Sequence, residues 1–387
     1  MDLSFIINEL GEDRENYFNA VSPPIIQSSN FTFKTVDDMR VAMADEFEAN
    51  LYSRGQNPTV NILRKKLAAL DGAEDALLFN SGIGAISVAV LSLVKAGDHV
   101  ITVKSSYSWT VKLFERFLPR FGITTTFVNG TEFSNFEIAV LPQTRLILLE
   151  SPNTLTYELQ DIRRVAKFAK SRGIITIIDN SYCTPIFQQP IQMGIDLVAQ
   201  SATKYIGGHS DVIAGVLTGS KAMIRQIFNT EFMNLGPALS PNSAWLLLRG
   251  LRTLPLRLQR SFETTKVVAA WLHDHPEIDR VIWPFNPNFE QGKLAKEQMQ
   301  GCGGLFSFTL KNSTFRKIEQ FCNSLQHILI AVSWGGHESL VMPSIVSIDQ
   351  KAYCVDNPQD QLIRMYIGLE DPNYLINDLK QALTSFE

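Results

Sequence analysis

Short apolar runs alternate along this chain with longer stretches whose apolar residues recur at helical spacing. Ala76 to Phe79, His99 to Val103, Thr124 to Val128, Thr144 to Leu149, Ile174 to Ile178, Leu197 to Ser201 and Val212 to Leu217 read as strands. Ile83 to Val94, Val111 to Phe121 and Asp161 to Lys170 read as helices between them. The strand runs are apolar almost throughout, as burial on both faces requires. Strand and helix in turn predict an α/β domain, a mainly parallel sheet with helices on both sides. Ligands of such open sheets sit at the carboxyl ends of the strands, so residues just past each strand are the first candidates for chemistry.

The two ends of the chain read differently. The prolines of Val21-Ser-Pro-Pro-Ile-Ile-Gln27 impose an extended path. Residues 1–50 are expected to form an arm that packs on the main body or on a neighbouring subunit, because such a segment cannot bury itself. Residues 51–245 would form the large domain. Asn242 to His273 predicts one long helix, or two across Pro255, leading out of it. Beyond lie a strand at Gly304 to Leu310, a helix around Phe315 to Leu325, strands at Ile328 to Ser333 and Gln361 to Gly368, and a helix at Tyr374 to Phe386. Residues 246–387 are thus expected to hold a smaller C-terminal α/β domain.

Charge and composition narrow the partners. The 387 residues carry 35 basic and 39 acidic side chains, a net charge of −4, which leaves no positive surplus for a nucleic-acid backbone. The apolar stretch Ile83 to Val94 falls short of the ~20 residues that span a bilayer. Met1 to Arg14 includes an acidic stretch and no basic-then-apolar signal pattern. Cys183, Cys302, Cys322 and Cys354 are far apart, with no C-x-x-C, and read as free packing thiols in a reducing compartment. The expectation is a cytoplasmic protein that uses neither nucleic acid nor membrane. His273-Asp-His275 lacks a third ligand at a useful spacing, so no metal is expected.

The most informative segment is Gln200-Ser-Ala-Thr-Lys-Tyr-Ile-Gly-Gly-His-Ser-Asp211. A lysine without context is a solvated surface group. Lys204 instead follows a strand end, with Ser201 and Thr203 upstream and Gly207-Gly208 downstream. That setting favours a Schiff-base lysine beside a phosphate site, where hydroxyls donate to oxygens and glycine lets the backbone come close. Asn80-Ser-Gly-Ile-Gly-Ala85 joins a strand to a helix whose first N–H groups can bind an anion; alone it reads equally as a packing turn. Asp179 ends the run Ile177-Ile-Asp-Asn180, where it would cap a helix or hold a protonated ring nitrogen. Tyr107, past another strand, would be a core aromatic or stack on a flat ring. Together these pieces describe pyridoxal phosphate: a phosphate cradle, a stacking ring, an acid for the pyridine nitrogen and a lysine for the aldehyde.

Val21-Ser-Pro-Pro-Ile, Tyr52-Ser-Arg-Gly-Gln-Asn-Pro-Thr59, Ser201-Ala-Thr-Lys204, Arg249-Gly-Leu-Arg-Thr-Leu254 and Arg364 carry a further likeness over nearly the whole chain. The sequence resembles the pyridoxal-phosphate enzymes of cysteine and methionine metabolism, the trans-sulfuration family of cystathionine β-lyase, cystathionine γ-synthase, cystathionine γ-lyase and methionine γ-lyase. The resemblance implies the aspartate aminotransferase-like fold, fold type I. It implies that Lys204 carries the cofactor, Asp179 pairs with its ring nitrogen, Tyr107 stacks on the ring, and Gly82, Ile83, Ser201 and Thr203 hold the phosphate. Tyr52 and Arg54 would reach the phosphate of a neighbouring subunit, which implies a homo-oligomer, a tetramer of two active-site-sharing dimers. Arg364 would grip the substrate α-carboxylate.

The substrate turns on Ala331-Val-Ser-Trp-Gly-Gly-His-Glu-Ser339, which is similar to bacterial cystathionine β-lyases, as is Leu362 to Asp371. The γ-synthases and γ-lyases usually have Glu before that serine and Leu after it, where this chain has Val332 and Trp334. Ser333 and Trp334 are expected to face the substrate, and His337 either tunes specificity or lines the mouth. The expected activity is that of a carbon–sulfur lyase, β-elimination of L-cystathionine to homocysteine, pyruvate and ammonia. Lys204 would be the base, and Lys204 or Tyr107 the acid for the leaving thiolate. Tyr52 to Thr59 is closer to the γ-synthase and methionine γ-lyase pattern, so γ-replacement and γ-elimination stand as alternatives. A non-catalytic binding protein on the same fold is more remote, given Lys204, Asp179 and Arg364. After Glu150-Ser-Pro152 the family mostly has Asn two residues beyond the proline; here Thr154 fills that slot and Asn153 precedes it.

Overall fold

In the computed structural model, which describes residues 1–384, seven strands form the first sheet. They are β1 Asp75–Phe79, β2 His99–Val103, β3 Thr124–Val128, β4 Thr144–Glu150, β5 Ile175–Asp179, β6 Leu197–Gln200 and β7 Gly215–Gly219, in the order β1-β7-β6-β5-β4-β2-β3. Strands β2 to β6 pair in parallel, whereas β7 runs antiparallel to both β6 and β1.

Both faces of this sheet are covered. Val100, Leu146, Leu148, Ile177 and Leu197 share one core with the helix Gly82–Leu91. Ile101, Ile147, Leu149, Ile178 and Val198 share the other with Ile162, Val165 and Ala169 of the helix Ile162–Ser171. Successive residues enter opposite cores, the period-two geometry of a strand, and the mainly parallel sheet expected from the apolar runs follows. The sense of β7 has a local reason. Residues 201–214 contain no helix to carry the chain back across the sheet, so the strand returns antiparallel.

Two elements differ from expectation. Val111 to Phe121 is not one α-helix: Ser108–Lys112 is α-helical, Leu113–Phe117 widens to a π-turn, and Leu118–Phe121 tightens to a 3-10 turn containing Pro119. Proline has no N–H to continue the α-helical ladder. Ile328 to Ser333 is a strand only at Leu329–Ile330, because Ser333 (φ 73°) and Gly335 (φ 92°) leave the extended region.

Pro241–Arg252 and Leu254–Asp274 are two helices parted at Thr253, with Pro255 in the first turn of the second, where its missing N–H is tolerated. A second sheet follows: β8 Ile278–Ile282, β9 Leu305–Leu310, β10 Leu329–Ile330, β11 Leu340–Pro343 and β12 Ile363–Tyr366, in the order β10-β11-β12-β9-β8. The last helix is Pro372–Thr384; its expected end at Phe386 lies outside the described residues. Near the start, the helix Leu3–Asn8 buries Ile6 and Ile7. The buried Lys66 ammonium holds that helix, donating to the carbonyls of Ile6 (3.0 Å) and Ile7 (2.9 Å) and pairing with Glu12 (3.1 Å). Among the described residues no helix is long and apolar enough to cross a membrane.

Candidate active site

The carboxyl ends of β4, β5 and β6 lie side by side, and each delivers a functional group. Glu150 and Asp179 are the last residues of β4 and β5 and are register partners. β6 ends at Gln200 and runs into the turn that carries Lys204, closed by Lys204 N–H to Ser201 O (3.1 Å) and Gly207 N–H to Ala202 O (2.8 Å). Arg257, buried in the long helix, braces this turn by donating to Tyr205 O and Gly250 O, both at 2.7 Å. Gly250 is needed there, since a Cβ would stand 2.3 Å from Gly207 O.

The second sheet closes the site from the other side. The Lys204 amine donates to Ser333 Oγ at 2.6 Å and stands 5.4 Å from the centre of the Trp334 ring. Arg364, on β12, donates to Ser333 O at 3.0 Å. Burial first, and then the Arg364 charge, lowers the Lys204 amine to about 8, against the opposite pull of Asp179. The Trp334 ring also packs on Tyr205, 5.2 Å between centroids.

An anion cradle opens beside the lysine. Ser81 caps the helix Gly82–Leu91 by accepting from Gly84 N–H at 3.1 Å. The N–H groups of Gly82 and Ile83 have no acceptor among the described residues. A Cβ on Gly82 would lie 2.8 Å from that of Ser201, so glycine keeps the space between turn and cradle open. Thr203 is engaged differently: its hydroxyl donates to Ala214 O (3.1 Å) and accepts from Ala214 N–H (2.9 Å), tying the link between β6 and β7.

Asp179 accepts from Ser181 N–H at 2.9 Å. Burial raises its carboxyl, while that bond and the Lys204 charge draw it back. Glu150 is buried and receives the Tyr107 N–H on Oε2 at 2.7 Å and the Thr154 hydroxyl on Oε1 at 2.5 Å. Asn153 turns away, donating to Glu158 (3.1 Å) and accepting from Gln160 (2.9 Å). Tyr107 keeps 43% of its surface exposed, and its phenol is raised by partial burial, then by Asp179 and Glu150, but lowered by Arg364, which puts these groups in one field. Glu150 enters the sequence reading only as the start of Glu150-Ser-Pro152, with no role assigned; its own signal is an acid closing an apolar run, as Asp179 does.

Lysine, acid, exposed ring and glycine-lined anion cradle fit pyridoxal phosphate. Tyr52 and Arg54 stand outside this cluster, exposed, with the Arg54 guanidinium 5.5 Å over the Tyr52 ring. His337 is exposed beside Glu338, and His209 bonds Gly207 O at 2.8 Å within the loop after Lys204.

The family model described as Cys/Met metabolism PLP-dependent enzyme matches residues 5–384. L-methionine gamma-lyase of Pseudomonas putida is 36% identical over 379 residues, 96% of this chain and 95% of that one. Cystathionine gamma-synthase 1, chloroplastic, of Arabidopsis thaliana is 37% identical over 373 residues, 94% of this chain and 65% of that one. The crystal structure of metB from Corynebacterium glutamicum superposes with a TM-score of 0.92 at 29% identity, over 100% of this chain and 99% of that one. With its lysine at the end of β6 and its acid at the end of β5, the chain belongs to the pyridoxal-phosphate-dependent enzymes of cysteine and methionine metabolism.

Proposed function

We propose that this enzyme is a carbon–sulfur lyase that carries out β-elimination on L-cystathionine, releasing homocysteine, pyruvate and ammonia. The observation that carries the reading is Trp334, whose indole stands 5.4 Å from the Lys204 amine. A large apolar ring suits a thioether and narrows the space in which the lysine swings. β-Elimination asks this base for one abstraction, at Cα, whereas γ-chemistry asks it to reach Cβ as well.

Pyridoxal phosphate, when bound, supplies the electron sink for the pair left at Cα. Arg364 holds the substrate α-carboxylate in its planar fork. Lys204 removes the α-proton, a task suited to an amine lowered to about 8. Asp179 keeps a proton on the cofactor nitrogen, and Tyr107 both covers the ring and shares with Lys204 the task of protonating the departing sulfur. Gly82, Ile83 and Ser201 serve the phosphate, whereas Thr203, expected beside them, spends its hydroxyl and its N–H on Ala214 and holds the turn in place. The outward position of Tyr52 and Arg54 supports a homo-oligomer in which they serve a neighbouring copy's phosphate. The two sheets support domains at 51–245 and 246–387 behind an N-terminal arm, and the free, buried thiols of Cys183, Cys302 and Cys322 support a cytoplasmic setting.

The likeness to a protein named L-methionine gamma-lyase favours a second reading, elimination at Cγ. A product assay separates the two. Purified protein would receive L-cystathionine, L-cysteine and L-methionine, with keto acid and thiol identified by mass. Pyruvate with homocysteine supports β-elimination, and 2-oxobutyrate overturns it. No product from any of them points to γ-replacement, tested with an O-acylated homoserine plus cysteine.

A further inference from the structure

Two acids end adjacent strands on the floor of the site, and Asp179 has a cationic companion where Glu150 has hydrogen-bond donors. Asp179 feels Lys204, whereas the partners of Glu150 are the Tyr107 N–H and the hydroxyl and backbone N–H of Thr154, none of them charged. Two neighbouring carboxylates shielded from water repel when both are ionised, so such a pair retains a proton. Burial, and then the Asp179 charge, push the Glu150 carboxyl up to about 8, against the pull of its bonds from Thr154 and Tyr107, and no cation joins that pull. Asp179 is also raised by burial, but Ser181 and Lys204 oppose that rise. The proton therefore belongs on Glu150. Its other titratable neighbour is the Tyr107 phenol, itself raised in part by Glu150, while Lys204 acts on Asp179 and Arg364 on Tyr107.

A neutral carboxyl satisfies these contacts too, because its oxygens still accept from the Tyr107 and Thr154 N–H groups. Its carbonyl oxygen accepts the Tyr107 N–H at 2.7 Å, and its hydroxyl can donate along the 2.5 Å line to Thr154 Oγ1. Thr154 belongs to the same device, since a hydroxyl accepts from an acid as readily as it donates to a carboxylate. We propose that Glu150 is a positioning residue that works as a neutral acid, clamping the Tyr107 backbone to Thr154 so that the ring stays over the cofactor, and leaving Asp179 as the one charged carboxylate for the cofactor nitrogen. The role rests on the family's cofactor and is the same whether the bond broken is at Cβ or Cγ.

The test uses reconstituted holoenzyme with Glu150→Gln, Glu150→Ala and Thr154→Val. The readouts are the circular dichroism of bound pyridoxal phosphate and its dissociation constant at about pH 6 and about pH 9. Glutamine keeps an oxygen for Tyr107 and an N–H for Thr154, so this variant should match the wild type at the lower pH. At the higher pH only the wild type loses its proton, and the two affinities should part by roughly tenfold. Glu150→Ala and Thr154→Val should weaken the dichroism at both pH values. A glutamine variant that departs from the wild type equally at both pH values would mean a permanently charged Glu150 and overturn the proposal. Wild-type dichroism in Glu150→Ala would overturn it too, by showing that Tyr107 is held without this clamp. Cofactor binding by the wild type carries the family reading and only the differences between variants carry this one, so the two can fail separately.

Discussion

The Lys204 amine donates to the Ser333 hydroxyl at 2.6 Å across 129 positions of chain, and Arg364 holds the same serine through its carbonyl at 3.0 Å. The proposed base and the arginine proposed to grip the carboxylate thus share one anchor. Ser333 adopts φ 73°, a left-handed backbone that costs a serine about 1–3 kcal/mol and persists only where its surroundings impose it. The tether places Lys204 at the meeting of the two sheets, where its removal has a direct consequence. Lys204→Ala should lose the visible absorbance of lysine-bound cofactor and nearly all turnover. The spectrum of the dialysed protein and the product assay check both, and full activity in that variant would rule out the proposed mechanism.

Arg364→Lys keeps the charge and gives up the planar fork. If Arg364 grips the α-carboxylate, KM for the amino-acid substrate should rise roughly 10–100-fold, with a smaller change in kcat, as the loss of a charge-assisted hydrogen bond of about 1.5–3 kcal/mol implies. Steady-state kinetics on the preferred substrate is the measurement. An unchanged KM would place the carboxylate elsewhere.

The strands of the first sheet are legible in the sequence because double-sided burial demands unbroken apolar runs, and their ends point to Lys204, Asp179 and Tyr107. The sense of β7 is not legible, since direction depends on whether a helix intervenes. β8 escapes because Asp279 and Arg280 face solvent and interrupt the apolar signal. Glu150 shows why part of a site stays hidden: only the register of β4 on β5 brings it beside Asp179. The clasp between Lys204 and Ser333 is likewise a product of tertiary packing, invisible to any local pattern.

Gly335→Ala tests how tightly the substrate loop and the lysine turn depend on each other. A Cβ there would lie 2.7 Å from the Lys204 carbonyl carbon, on a backbone at φ 92°. We expect a stability loss of about 1–3 kcal/mol and a larger proportional fall in kcat/KM, because the displaced backbone is the one that carries Lys204, the proposed base. Gly97→Ala is the control: its φ is 90°, but nothing lies within 4 Å of the added carbon. Denaturant unfolding and kinetics on both variants decide the matter. Equal kinetic losses in the two would assign the effect to backbone strain alone.

Asp71 gives the stability of the protein a predictable dependence on pH. It is the last residue of the helix Pro58–Asp71 and fully buried; Oδ2 accepts from Gln200 and Thr218, each at 2.8 Å, while Oδ1 has no partner among the described residues. Burial pushes its carboxyl up to about 7, against the pull of those two bonds. In the unfolded chain an aspartate titrates near ~4, so the folded state binds this proton more tightly. Its contribution to stability is therefore complete below about pH 4 and is lost as pH rises through about 7, by up to roughly 4 kcal/mol. Asp71→Asn stays neutral at every pH. Its unfolding free energy should fall less between about pH 5 and 8 than that of the wild type, a difference that cancels all other titrating groups. Urea unfolding at a series of pH values measures it. Parallel curves for the two proteins would mean that Asp71 is ionised in the folded state throughout, with Gln200 and Thr218 compensating its burial in full.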